Sequence, residues 1–101
     1  MGRRLVDNSV LMRWRALDAA HLLDCLADHA KPDASYVPTT SLQTTRWHAR
    51  FGSREFELLC SGPKFFDTRT NKGGGGAVDL VTYCMGLDFK AAVRFLEERG
   101  V

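Results

Sequence analysis

The stretch RWHARFGSREFELLC, residues 46–60, has the pattern of a β-hairpin. Apolar and polar residues alternate on either side of Gly52-Ser53, as they do on half-buried strands. The Gly52-Ser53 pair is typical of a two-residue hairpin turn. Because Trp47 and Phe51 fall on one face of the first strand, we expect both side chains to lie in the core.

The chain continues with further turn and strand signals. Ser61-Gly62-Pro63 marks a second turn, and residues 64–68 predict a short third strand. The sequence therefore predicts a three-stranded antiparallel meander. Asn71-Lys72 and four consecutive glycines come next, and they predict a loop whose backbone is mobile or adopts positive φ.

Helical periodicity flanks the predicted sheet on both sides. Before it, one apolar stripe predicts a helix over residues 17–30, with Asp18 as N-cap and Pro32 just beyond its end. After it, a helix is predicted over residues 77–85 and a last one is predicted to begin after Asp88. The N-terminal stripe consists of Ala19, Leu22, Leu23, Leu26 and Ala30.

Composition limits the class of protein. The chain has 101 residues, enough for one domain, and 45% of them are hydrophobic, which excludes a disordered tail. No apolar run approaches the roughly 20 residues of a membrane span, and residues 1–6 lack the apolar core of a secretory signal. We therefore expect a soluble cytoplasmic protein. We assign no oligomeric state.

The three cysteines, Cys25, Cys60 and Cys84, are widely spaced and form no CxxC pair. This spacing signals neither a disulfide framework nor a zinc site. Each cysteine stands among apolar residues, so we expect all three to behave as small hydrophobic side chains.

The middle third of the chain is its basic part, although the net charge is only +2. Acidic residues are fewer there and lie mostly in the flanking segments. The basic residues between positions 43 and 73 are Arg46, Arg50, Arg54, Lys64, Arg69 and Lys72, and the acidic ones are Glu55, Glu57 and Asp67.

Residues 65–80, FFDTRTNKGGGGAVDL, resemble the second half of the zinc-ribbon (CHC2-type) domain of bacterial DNA primases. That family has two aromatic residues before a Cys-x-x-Cys knuckle, then a glycine-containing loop and a helix that begins Ala-Ile-Asp-Phe. Residues 87–93, LDFKAAV, match its next helix. The resemblance implies a zinc-ribbon-like core over residues 46–98, within a single domain of residues 1–101.

We therefore predict an α+β fold with one N-terminal helix, a three-stranded antiparallel zinc-ribbon-like sheet and two C-terminal helices. Residues 1–16 are expected to be loosely ordered. Thr68 and Asn71 stand where the family has its knuckle cysteines, and neither is a usual zinc ligand. Upstream, His48 is the one ligand type that remains, so we predict a metal-free, cofactor-free domain. Its aromatic residues would replace the stabilisation that zinc supplies: Trp47, Phe51, Phe56, Phe65 and Phe66.

The resemblance implies a non-catalytic module that binds nucleic acid, single-stranded DNA above all, as an accessory to a primase or other replication protein. The chain shows neither paired carboxylates nor a nucleophile–base arrangement. Cations would pair with phosphates, and the glycine run before a helix would cradle one. The candidate binding residues are His48, Arg50, Lys64, Arg69, Lys72 and Gly74.

Two alternatives remain. The domain could be a protein-interaction module without nucleic-acid contact, which an exposed apolar patch over residues 10–14 would favour. A zinc protein that uses Cys60, Cys84 and His48 is the other.

Overall fold

The computed structural model describes residues 7–39 and 41–101. Within these residues the helices are α1 Asn8–Arg15, α2 Ala19–Leu26, α3 Ala77–Met85 and α4 Phe89–Glu98. The strands are β1 His29–Pro32, β2 Thr45–Phe51, β3 Arg54–Ser61, β4 Lys64–Asp67 and β5 Lys72–Gly75. None of the described helices is long and apolar enough to cross a membrane.

The five strands form one antiparallel sheet in the order β1-β2-β3-β4-β5. At its centre, β2 and β3 form the hairpin that alternation predicts, with Gly52 in the left-handed region at φ 64°. The prediction of a three-stranded sheet with a single N-terminal helix is wrong, because the described residues contain four helices and five strands.

The first additional strand is β1, which occupies residues predicted to be the end of a helix and a connection. The helix ends at Leu26, and residues 29–32 pair with β2, placing Ala30 opposite Ala49. This pairing gives hydrogen-bond partners to the backbone of β2, which would otherwise be a sheet edge. The sequence HAKP is too short and too polar to show alternation, so tertiary pairing decides its conformation.

The second additional strand is β5, which occupies the predicted glycine loop. Residues 72–75 pair with β4, and Gly73 lies opposite Phe66. A Cβ atom at residue 73 would lie 2.5 Å from the carbonyl oxygen of Phe65. Glycine is therefore required there because the two strands approach closely, and mobility is not its role.

All four described helices lie on one side of the sheet, here called the inner face. α2 contacts the first three strands and α3 contacts β5. Inward-pointing residues of the strands join the helix residues Leu23, Val81 and Leu96 in one core. These strand residues include Ala49, Phe51, Phe56, Leu58, Cys60 and Phe65. The opposite side of the sheet, the outer face, has no helix packed on it among the described residues.

The N-terminal segment contributes more to the core than its sequence suggested. Residues 8–15, expected to be loosely ordered, form α1, capped by Asp7. Trp14 is 1% exposed, and its indole N–H donates to the Val101 carbonyl oxygen at 3.1 Å. Trp47, in contrast, is only half-buried at the margin of the core. The expectations for residues 1–6 lie outside the described residues.

Candidate nucleic-acid interface

The outer face of the sheet is where the strands present side chains to solvent. Successive residues of a strand point to opposite faces, and the register aligns Arg46, Leu59, Phe66 and Gly73 in one row across β2 to β5. Phe66 is 38% exposed there, whereas its neighbour Phe65 is buried on the inner face. The prediction that Phe66 belongs to the aromatic core is therefore wrong.

A groove of about 590 Å³ lies over this row. Leu59, Phe66 and Gly73 contribute from the sheet, and Tyr36, Thr39 and Thr44 contribute from the segment that joins β1 to β2. Among the described residues, Lys64 is the one charged side chain that lines it. The groove thus combines exposed aromatic surface, hydroxyl groups and the Lys64 cation. Its volume is within the range of small-molecule sites.

The groove depends on the glycine opposite Phe66. A Cβ at residue 73 would lie 3.0 Å from the Phe66 Cδ1 atom, so the ring edge occupies space that a side chain at residue 73 would need. Residue 73 has no side chain that would displace or cover this ring, and Phe66 stays partly exposed.

The segment between β1 and β2 is held to the sheet by Asp33. The Asp33 carboxylate accepts from Arg46 Nε at 2.9 Å and lies 3.2 Å from His48 Nε2. Hydrogen bonds from the side chain and backbone of Ser35, followed by those from Arg46 and His48, hold the pKa of Asp33 far below its usual range. The Arg46 guanidinium also lies over the Tyr36 ring, 5.1 Å from its centre.

Asp33, His48 and Glu57 bring three potential metal-ligand atoms within 4.8 Å of one another. Arg46 lies between the two carboxylates, 2.8 Å from Asp33 and 3.0 Å from Glu57. The guanidinium already balances their charge, so this cluster is an ion-pair network and its geometry does not favour a metal centre.

The zinc ligand set of Cys60, Cys84 and His48 is incompatible with the fold. Both cysteines are buried on the inner side of the sheet, and His48 points to the outer face. Burial raises the pKa of each of the two thiols to about 12. Cys25, in contrast, is exposed on α2, where its sulfur lies 3.4 Å from His21 Nε2. The expectation that all three cysteines are packed as small hydrophobic residues is therefore wrong for Cys25.

Three of the six predicted binding residues share the outer face. His48 and Arg50 project from β2, and Lys64 projects from β4. His48 is engaged with Asp33, whereas Arg50 and Lys64 are exposed and have no ion pair with any described residue. The structure thus brings only three of the six predicted residues together on the outer face.

The other three predicted residues lie at the end of the sheet or on its inner side. Arg69 donates to the Glu55 carbonyl oxygen at 2.8 Å and lies 3.8 Å from the Asp67 carboxylate. Lys72 is exposed at the start of the edge strand β5. Gly74 faces inward, where an added Cβ would lie 2.9 Å from Asp79 Oδ2.

The predicted phosphate cradle is not formed by the glycine run. The amide of Gly75 donates to the Asp79 carboxylate, and the amide of Gly76 donates to the Pro63 carbonyl oxygen. Both amides are therefore already used within the fold, and the run is a paired strand.

The turn where the knuckle cysteines were expected is closed by polar contacts. Asp67 is buried and accepts hydrogen bonds from the Tyr83 hydroxyl at 2.6 Å and the Arg69 amide at 2.9 Å. Thr70 Oγ1 lies 2.7 Å from the same Tyr83 oxygen. This network ties the β4–β5 turn to α3. Asn71, also in the turn, has φ 61°.

Sequence reasoning missed Tyr36, Asp33 and Tyr83 as parts of these sites. Their contacts join residues 10 to 16 positions apart, which local patterns do not reveal. Phe66 could have been identified, because two adjacent strand residues must point to opposite faces.

Residues 10–14 do not form the exposed apolar patch that would favour a protein-interaction module. Trp14 is buried, and Val10 and Leu11 are partly buried against the core. Met12 is the large apolar side chain of this stretch that is exposed.

Comparison with known proteins gives a short similarity. The chain is 41% identical over 44 residues to a "65 kDa protein" of Zymomonas mobilis subsp. mobilis. The match covers 44% of this chain and 8% of that protein. No family profile matches the chain, and no solved structure is significantly similar to it.

Proposed function

We propose that this domain is a metal-free module similar to the primase zinc ribbon that binds single-stranded nucleic acid, with DNA favoured, through the outer face of its sheet. It acts as an accessory to primase-type or other replication machinery in the cytoplasm and has no catalytic activity of its own. The observation that carries the proposal is a groove on the sheet face that no described helix covers. Phe66, which is 38% exposed, lines it together with Lys64, which has no ion pair with any described residue.

The charges on this face and at the end of the sheet support the proposal. Arg46 and Arg69 are engaged with carboxylates, so they add little net attraction for phosphate. Arg50, Lys64 and Lys72 are exposed and have no carboxylate partner among the described residues. These three cations are free to pair with phosphates, and an exposed aromatic ring is a surface on which bases stack.

The polar network at the β4–β5 turn supports the absence of a metal. Hydrogen bonds of Asp67 and Tyr83 hold the turn where a zinc knuckle would do so. A thermal melt should therefore be unchanged by a chelator. A large loss of stability in chelator, or stoichiometric zinc in the purified protein, would contradict this part of the proposal.

Titration of a fluorescent single-stranded oligonucleotide at several salt concentrations tests binding. Exchange of both Arg50 and Lys64 for glutamate should weaken binding whatever the base sequence. The slope of log K against log salt should fall by about 0.7 for each phosphate that the variant no longer neutralises.

The matched control reverses Lys90 and Arg94, which are exposed on α4 on the helical side of the domain. This variant carries the same charge change and should bind with the same slope as the wild type. If the folded wild type does not bind at low salt, or both double variants bind alike, the proposal fails. A protein-interaction module would then be the better explanation.

A further inference from the structure

We propose that the groove over Phe66 is a subsite for one unpaired nucleobase, stacked on the Phe66 ring, with Lys64 paired to a phosphate of the same strand. This inference rests on the proposed function and specifies how the strand is held. Cations alone would bind any polyanion, whereas this subsite would also recognise the base.

The aromatic lining of the groove fits a flat group. Phe66 is 38% exposed and lines the groove opposite Gly73, which has no side chain to cover the ring. Tyr36 lines the same groove from the β1–β2 segment and is held in place by Arg46. Two aromatic side chains and Leu59 therefore offer surface for stacking and apolar contact.

The polarity of the groove fits a nucleobase. Thr39, Thr44 and Ser61 line it and carry hydroxyl groups that both donate and accept hydrogen bonds. A base has an apolar face, which matches the aromatic lining, and an edge of donors and acceptors, which matches the hydroxyl groups. The charge of Lys64 at the groove is complementary to the phosphate that accompanies each base.

Contacts within the protein hold one wall of the groove. Asp33 is bonded to Arg46 and lies beside His48, and these contacts fix the start of the segment that carries Tyr36, Thr39 and Thr44. Because these contacts already order the start of the segment, less ordering is left to binding itself.

The experiment compares an oligothymidylate with an abasic strand of the same length and phosphate count, both labelled and both at low salt. The wild type should bind the oligothymidylate about 5- to 150-fold more tightly, the range expected for stacking of one base on an aromatic ring. Phe66→Leu should lose most of this preference and leave the affinity for the abasic strand unchanged. Phe89→Leu, at an exposed phenylalanine of α4, should behave as the wild type.

The outcomes separate the two proposals. Equal wild-type affinity for both strands would overturn the base subsite and leave backbone binding intact. No binding of either strand would overturn the proposed function itself. The wild-type comparison decides the question even where Phe66→Leu fails to fold. A preference for bases that survives Phe66→Leu in folded protein would place the base elsewhere.

Discussion

The hydrogen bond between Tyr83 and Asp67 should be one of the polar interactions that contribute most to the stability of the domain. The Tyr83 hydroxyl donates to the carboxylate of Asp67, which is 1% exposed, at 2.6 Å. Tyr83→Phe removes this donor and keeps the ring, whose centre lies 5.6 Å from that of Phe56 and 5.9 Å from that of Phe65. The variant therefore separates the polar contacts of the hydroxyl, with Asp67 and with Thr70, from the packing of the ring.

The expected loss of stability follows from the charge and burial of the two bonded groups. A hydrogen bond to a charged group contributes about 1.5–3 kcal/mol, and an abandoned buried acceptor adds to the loss. Asp67 retains its bond from the Arg69 amide, and Tyr83 is only partly buried, which favours the lower half of that range. We expect Tyr83→Phe to lower the free energy of unfolding by about 2 kcal/mol.

Urea denaturation measures this change directly. Tyr36→Phe is the matched control, because the Tyr36 hydroxyl makes no hydrogen bond to the described residues, and it should cost less than about 0.5 kcal/mol. A double-mutant cycle with Asp67→Asn should show coupling of about 1 kcal/mol or more. Equal stabilities of the two tyrosine variants would refute the reasoning.

The same contact predicts a dependence on alkaline pH. Desolvation, followed by the hydrogen bond to Asp67, raises the pKa of Tyr83 above its ordinary value near 10. A raised folded-state pKa gives stability that is complete below the unfolded-state pKa and is lost as pH rises through the folded-state pKa. The stability difference between the wild type and Tyr83→Phe should therefore shrink above about pH 10.

Three further predictions concern the thiols, the edge strand and the Asp33 network. A thiol reagent at pH 8 should modify only the exposed Cys25 in the native protein and all three cysteines in denaturant. The reason is that burial raises the pKa of Cys60 and Cys84 to about 12. Fast modification of more than one thiol in the native protein would contradict the core described above. Gly73→Ala should cost about 1–3 kcal/mol in urea denaturation, whereas Gly75→Ala, whose Cβ would meet nothing closer than 3.9 Å, should cost little. Asp33→Asn should destabilise the domain at pH 7, and the difference should fade as pH drops below about 4, because a lowered folded-state pKa gives stability that is lost on acidification. A difference independent of pH would show that the Asp33 charge is not involved.

The central hairpin was predictable because its signal is local. Alternation across residues 46–60 places apolar residues on one face whatever the rest of the chain does. β1 and β5 carry no such signal, since HAKP is mostly polar and the glycines of β5 have no side chains. Each is a strand because a neighbouring strand needs a backbone partner, which is a tertiary cause.

The candidate interface was predictable in part for the same reason. The period of two placed His48 and Arg50 on the face opposite Phe51. It could not show that Asp33 engages His48, that Arg69 is tied to the Asp67 carboxylate, or that Tyr36 lies over the sheet. Composition also could not show which of the two tryptophans is buried: Trp14 is 1% exposed and donates to the distant Val101 carbonyl oxygen.

The order of the strands has a kinetic consequence. Every strand pairs only with its neighbour in sequence, and the β2–β3 and β3–β4 connections are two-residue turns, so most of the sheet closes short loops. Chains whose contacts are mainly local fold quickly, because little loop-closure entropy is lost before pairing begins. The contacts of α1 with α3 and of Trp14 with Val101 instead join distant parts of the chain. The hairpin is therefore suited to be the folding nucleus. Docking of the N-terminal helix against the C-terminal half should follow its formation.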